Sequence, residues 1–170
     1  DIGKSVGLEV PFMRPSELAQ DEATADSVAI HAIDWMTQKS GARPKFVMLL
    51  QPTSPFRPPE LILRAVKMLE NPLVDGVIGV KPIHRNLATL FHADKTMNMF
   101  ALGKDEGGQS RRQDVKTIYT PNGALYLIRT EKLLEPLKFF PKKMQGVLMD
   151  QISSIDIDDP IDWKMAEAMV

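Results

Sequence analysis

The sequence predicts an α/β fold with a mostly parallel sheet. Three observations carry this. Short apolar runs at Phe46–Leu50, Gly76–Val80 and Ala124–Ile128 have the length and continuity of strands covered on both faces. Blocks with helical apolar spacing separate them. Between the first two runs the order strand, loop, helix, strand makes a βαβ unit, which favours parallel strands and a right-handed crossover. With 170 residues the chain suits one domain that buries about 70% of its unfolded surface.

The elements follow in order. Asp1-Ile2-Gly3-Lys4-Ser5 has neither an initiator Met nor a signal-peptide pattern. The stretch through Leu8 reads as the tail and exit turn of a helix that begins upstream. Leu8–Phe12 is a short extended segment. A helix follows from the N-cap candidate Thr24, with Asp26 in its first turn and Val28, Ala32, Trp35 and Met36 on one stripe; Lys39-Ser40-Gly41 ends it. After the first strand, Gln51 to Pro59 is too proline-dense for helix or strand. The next helix starts near Pro59 and turns Leu61, Ala65, Met68 and Leu69 inward.

From Lys81 to Thr117 the pattern suggests a hairpin arm and then a mobile polar loop, Gly103 to Asp114. Tyr119-Thr120-Pro121-Asn122-Gly123 reads as a turn before the third strand. A short helix from Thr130 to Leu137, a strand from Ile152 to Asp158 and a helix from Pro160 to Met169 complete the chain. Asp159 is the expected cap of that last helix, with Asp162 in its first turn.

Composition narrows the function classes. Lys and Arg number 21 against 22 Asp and Glu, a net charge of −1, so no bulk field draws nucleic acid or an anionic membrane. Hydrophobic residues at 44% and charged residues at 25% describe an ordinary globular domain, which argues against disorder. No cysteine is present, excluding disulfides, thiolate metal sites and cysteine nucleophiles within these residues. No run approaches the ~20 apolar residues of a membrane span. A soluble, intracellular domain is expected. His31, His84 and His92 have no metal-like spacing, and neither a dinucleotide fingerprint, a phosphate-cradling P-loop nor a hydrolase nucleophile elbow occurs.

Several positions could carry chemistry. Ile155-Asp156-Ile157-Asp158 alternates, and in an extended chain residues i and i+2 share a face. Two carboxylates held together repel unless a hard cation neutralises them; Mg²⁺ uses one or two carboxylates with phosphate and water. The other reading is plain helix capping by Asp158 or Asp159. Gln51 lies at the carboxyl end of a buried strand, the edge where open α/β sheets bind ligands, and its amide can both donate and accept. It could equally be a solvated residue in an ordinary connection. Arg111-Arg112 could grip phosphate oxygens or be a solvated pair. Phe139-Phe140 could be core, a subunit contact or a ligand platform.

In combination these segments resemble the CMP-sialic acid synthetase (acylneuraminate cytidylyltransferase) family, including the CMP-legionaminic and CMP-pseudaminic acid synthetases. The matching pieces are Val10-Pro11-Phe12-Met13-Arg14-Pro15-Ser16-Glu17-Leu18-Ala19, Leu49-Leu50-Gln51-Pro52-Thr53-Ser54-Pro55, Arg111-Arg112-Gln113-Asp114, Pro121-Asn122-Gly123-Ala124-Leu125-Tyr126 and Asp156-Ile157-Asp158, in that order. They span essentially the whole chain.

The resemblance implies a three-layer α/β/α, Rossmann-like nucleotidyltransferase domain of the GT-A-like kind over residues 1–170. It also implies a homodimer whose dimerisation arm is residues 81–113, and a cytoplasmic reaction. In that reaction CMP passes from CTP to the anomeric hydroxyl of a nine-carbon sugar acid, releasing pyrophosphate. Asp156 and Asp158 match the Mg²⁺ pair, and Arg112 matches a catalytic arginine at the substrate. Gln51, Tyr126 and Asn122 match substrate-binding positions. Phe139 and Phe140 match aromatics lining the sugar pocket across the dimer. Arg14 and Thr24 match segments bordering the nucleotide.

Two departures stand out. The family's basic, glycine-rich loop that grips CTP phosphates is absent from these residues, so the chain alone is expected to bind triphosphate poorly. Thr120 stands where an arginine is common. The alternatives are an eight-carbon (KDO-type) cytidylyltransferase, a GT-A-like glycosyltransferase and a non-catalytic dimerising module. The sequence after the Phe46–Leu50 strand argues against the KDO type.

Overall fold

The computed structural model describes residues 2–85, 87–103, 117–134 and 139–170. In chain order its elements are α1 (Ile2–Ser5), α2 (Ala25–Ser40), β1 (Phe46–Leu49), α3 (Pro59–Leu69) and β2 (Gly76–Ile83). The hairpin strands β3 (Phe91–Ala93) and β4 (Met99–Ala101) follow. Then come β5 (Ile118–Arg129), α4 (Thr130–Leu133), β6 (Met144–Leu148) and α5 (Pro160–Glu167). The main sheet has the order β1-β5-β2-β6. β1, β2 and β6 run one way; β5 lies between β1 and β2 and is antiparallel to both. The expected βαβ unit is therefore present, with a reversed strand inserted between its two parallel members.

Side chains alternate along β5 and divide the core between the two faces of the sheet. Leu125 and Leu127 join Val77, Val147 and the α3 residues Leu61, Ala65 and Leu69 on one side. Ile128, with Tyr126 beside it, meets Ile33 of α2, Leu133 of α4 and Phe139 on the other. Helix, sheet and helix form the three layers. α3 turns inward as its spacing predicts, with Pro at its first turn.

α2 is capped by the Thr24 hydroxyl, which accepts from Ser27 N at 3.2 Å, and Gly41 ends it at φ 72°. Its sheet-facing stripe is Ala29, Ile30 and Ile33, and not the predicted Val28, Ala32, Trp35 and Met36. The difference arises because a second side of the helix is also covered: Phe12 packs its ring 5.0 Å from Trp35 and 5.1 Å from His31.

Three further expectations are corrected. Tyr119–Gly123 is not a turn but part of β5. Gly79 alone lies between Ile78 and Val80, whereas 122–125 lie between their partners Tyr126 and Pro121, so the strand bulges there. Gly123 sits in the bulge at φ 78°, a conformation that costs other residues strain.

The predicted strand Ile152–Asp158 is absent, and the sheet's last strand is Met144–Leu148. Beyond it, Asp150 accepts from both Ser153 N (2.8 Å) and Ser153 Oγ (3.0 Å), and this turn takes the chain off the ladder. α4 ends at Leu133, short of the predicted Leu137; residues 135–138 lie outside the described set. α5 begins as predicted, with Asp159 and Asp162 forming a reciprocal capping box. The hairpin β3–β4 lies in the predicted arm, and the polar loop from 104 onward lies outside the described residues.

Candidate active site

The site forms where β1 ends. Gln51 follows the strand, and Pro52 and Pro55 prevent the segment from rejoining a ladder. Four hydrogen bonds fix this proline-rich loop. Ile157 N donates to Thr53 O at 2.9 Å. The Ser54 hydroxyl, on a residue only 1% exposed, donates to Asp156 Oδ1 at 3.3 Å. Arg57 donates from Nη2 to Gln51 O at 2.7 Å and from Nε to Ala124 O. Burial of this guanidinium lowers its pKa.

Gly123 is the meeting point. A Cβ on it would stand 2.7 Å from Gln51 Oε1 and 2.7 Å from Asp156 Oδ2. An amide oxygen and a carboxylate oxygen thus close around a bare stretch of backbone. Tyr126 is half-buried nearby; desolvation first, and the charge of Asp156 second, push its phenol above the ordinary value. The rings of Phe139 and Phe140 meet Tyr126 edge-on at 5.9 and 6.0 Å. The two phenylalanines divide their roles: Phe139 is 5% exposed and belongs to the core, while Phe140 is 47% exposed. Phe140, Tyr119, Pro121, Val80 and Leu148 line an open, mainly apolar cavity of about 640 Å³ on that face of the sheet.

Gln51, Tyr126, Phe139, Phe140 and Asp156, proposed from distant parts of the sequence, are therefore brought together. Asn122 is adjacent but turned inward: it is 3% exposed, and its amide donates to Ser154 Oγ and Met149 Sδ at 2.9 Å each. It ties the bulge to the loop that carries Asp156. Thr24 serves as the α2 cap, and Arg14 is exposed beyond Phe12; neither bonds to the Gln51–Asp156 cluster. Arg112 lies outside the described residues.

Asp158 is exposed at the entrance to α5, where its N–H donates to Asp162 Oδ2 at 3.0 Å. Among the described residues no cluster of three or more His, Cys, Asp or Glu could hold a metal ion. A two-carboxylate site is chemically different. Asp159 and Asp162 are spent on capping, which leaves the hard oxygen donors of Asp156 and Asp158 for a cation that takes its other ligands from phosphate and water. Carboxylate oxygens are the donor type that Mg²⁺ takes.

Sequence reasoning missed Ser54 and Arg57. Both stand in the proline-rich segment from Gln51 to Pro59, and for Arg57 the signal was the prolines themselves: a loop short of N–H groups leaves carbonyls, Gln51 O among them, that a side-chain donor must satisfy.

No protein-family model matches the chain. A CMP-N,N'-diacetyllegionaminic acid synthase from Legionella pneumophila is 33% identical, with 100% of this chain aligned to 72% of that protein. The chain belongs to the acylneuraminate cytidylyltransferase family. An N-acylneuraminate cytidylyltransferase from Escherichia coli is 30% identical over 97% of this chain, which spans only 38% of that larger relative. A solved structure of 4-diphosphocytidyl-2C-methyl-D-erythritolsynthase from Anaerococcus prevotii superposes with a TM-score of 0.57 at 14% identity, covering 86% of this chain and 66% of that one. That likeness is one of fold. No helix among the described residues is long and apolar enough to cross a membrane.

Proposed function

We propose that this protein is a cytidylyltransferase that transfers CMP from CTP to the anomeric hydroxyl of a nine-carbon, sialic-acid-like sugar. The observation that carries the reading is the convergence of Gln51 Oε1 and Asp156 Oδ2 on Gly123, beside Tyr126 and Phe140. Family membership and the activities named for the relatives support the same chemistry.

The sugar hydroxyl oxygen bonds to the α-phosphorus in line. The bond from that phosphorus to its bridging oxygen breaks, the electron pair leaves on pyrophosphate, and the hydroxyl proton passes to solvent. Positioning and charge neutralisation are the protein's main contributions. Gln51 can donate to and accept from sugar hydroxyls, while Phe140 and Tyr126 form an apolar wall against the acyl and carbon skeleton. Asp156 and Asp158 would hold Mg²⁺, which when bound offsets the charge of the phosphate oxygens. Arg112 would neutralise the sugar carboxylate or the leaving pyrophosphate.

A homodimer joined through the 81–113 arm belongs to the same reading. Its support is the β3–β4 hairpin, which carries exposed Phe91, Met99 and Phe100. A cytoplasmic reaction, drawing on the CTP pool there, belongs to the same proposal.

The test is pyrophosphate release from CTP and Mg²⁺ across eight- and nine-carbon sugar acids, on the 170-residue chain and on the natural full-length protein. Release with a nine-carbon acid upholds the reading, and preference for an eight-carbon acid replaces it with the KDO type. No release from the full-length protein overturns it in favour of a non-catalytic dimerising module.

A further inference from the structure

The ladder between β1 and β5 ends at the pair Leu49 and Tyr126. Continued two residues further, the same register would set Gln51 opposite Ala124. No strand pairing forms there, because β1 has given way to the Gln51-Pro52 turn. The carbonyls of Gln51 and Ala124 are met instead by Arg57, one through Nη2 and the other through Nε. A single rigid guanidinium thus spans the two strands just past their last paired residues.

What hangs on those two carbonyls is the candidate site. Gln51 carries the amide that faces Gly123, and Ala124 follows Gly123 directly. Asp156 is held against the same loop through Ser54 Oγ and through Ile157 N to Thr53 O. Among the described residues no carboxylate forms an ion pair with Arg57. Its half-buried charge is directed at main-chain oxygens, which is what a spacer between two backbones requires. Lysine has a point charge on a flexible stem and lacks the planar fork that fixes two acceptors at a set separation.

We infer that Arg57 is a positioning residue: it sets the gap between the exit of β1 and the Gly123 bulge, and so holds Gln51 Oε1 and Asp156 Oδ2 together over the bare Cα of Gly123. It acts through those groups and contacts no substrate. The consequence for sugar binding rests on the function proposed above.

Two measurements on the natural full-length protein test this with R57K and R57A. In the ligand-free state, hydrogen exchange is followed at the amides of Ser54, Ala124 and Ile157, which bond to Gln51 O, Asn122 Oδ1 and Thr53 O. R57A should speed exchange at these sites by about tenfold and leave the α3 amides unchanged, with R57K intermediate. In turnover, R57A should raise KM for the sugar acid by about tenfold with KM for CTP within about twofold, and millimolar guanidinium ion should recover part of the loss. Unchanged exchange at all three amides, or a uniform rise that includes α3, overturns the clamp. Equal rises in both KM values overturn the sugar-positioning role. A wild-type protein that turns over no sugar acid, yet shows the local exchange pattern in R57A, removes the proposed function and upholds the clamp.

Discussion

Gln51 and Asp156 meet across a missing side chain: each places an oxygen 2.7 Å from where a Cβ on Gly123 would lie. The first prediction concerns that gap. Gly123→Ala must shift both oxygens and also place a side chain at φ 78°, where an L-residue pays about 1–2 kcal/mol. The expected outcome is a rise in sugar KM of about tenfold or more together with a lower thermal midpoint, read from saturation curves and a melting scan.

Asp156→Asn removes a charge and keeps the shape. Turnover in the full-length protein should fall by about 100-fold or more with little change in melting temperature. The same change should lower the Tyr126 pKa, because the Asp156 charge is one of the two causes raising it; burial is the larger and keeps the value above normal. Phenolate absorbance titrated in the ligand-free protein, with Tyr126→Phe to assign the signal against Tyr119, reads the shift. A Tyr126 titration indifferent to the substitution would contradict the proximity of the two groups.

The buried amide of Asn122 depends on Gly79. A Cβ at Gly79 would stand 2.6 Å from Asn122 Oδ1 and 3.0 Å from Met149 Sδ. Gly79→Ala should therefore cost about 1–3 kcal/mol through overpacking, and Asn122→Ala about 1–3 kcal/mol through unpaired buried groups. Urea denaturation of the two single variants and the double should show clear non-additivity, since both changes act on one contact.

The hairpin turn between β3 and β4 is organised by one carboxylate. Asp94 accepts from Thr96 N, Thr96 Oγ1, Asn98 N and Asn98 Nδ2, and these bonds lower its pKa to about 2. A depressed carboxylate pKa stabilises the turn above the unfolded value of about 3.8 and loses that contribution as pH falls through about 2. Amide exchange at Thr96 and Asn98 should accelerate over that window, and Asp94→Ala should show the acid behaviour already at neutral pH.

Local signals were legible in the sequence. The Thr24 and Asp159 caps, the Gly41 stop and the inward face of α3 depend on neighbours within a turn or two, and each stands where spacing put it. The Asn122-Gly123 pair was read correctly for conformation and wrongly for topology. A positive φ suits both a tight turn and a bulge, and only the pairing of β5 with β2 distinguishes them.

The alternation of Ile155 to Asp158 resembled a strand, but the Asp150 turn had already removed the chain from the sheet. Gln51 stands out by its edge position, the Asp156 and Asp158 pair by alternation and Tyr126 by the family motif. Their convergence needed Arg57 and Ser54, whose partners are remote in sequence and leave no periodic trace.

The position of β5 also constrains how the chain acquires its shape. It is the strand joining β1 to β2, yet it is translated after both of them and after the hairpin. A nascent chain that has not reached Ile118 holds two apolar strands with no hydrogen-bonding partner between them. The sheet closes by insertion of a late strand and not by growth from a hairpin, a high-contact-order step that is intrinsically slow. Until that insertion the two strand edges are open to pairing with other chains, which makes this late closure the step most exposed to aggregation.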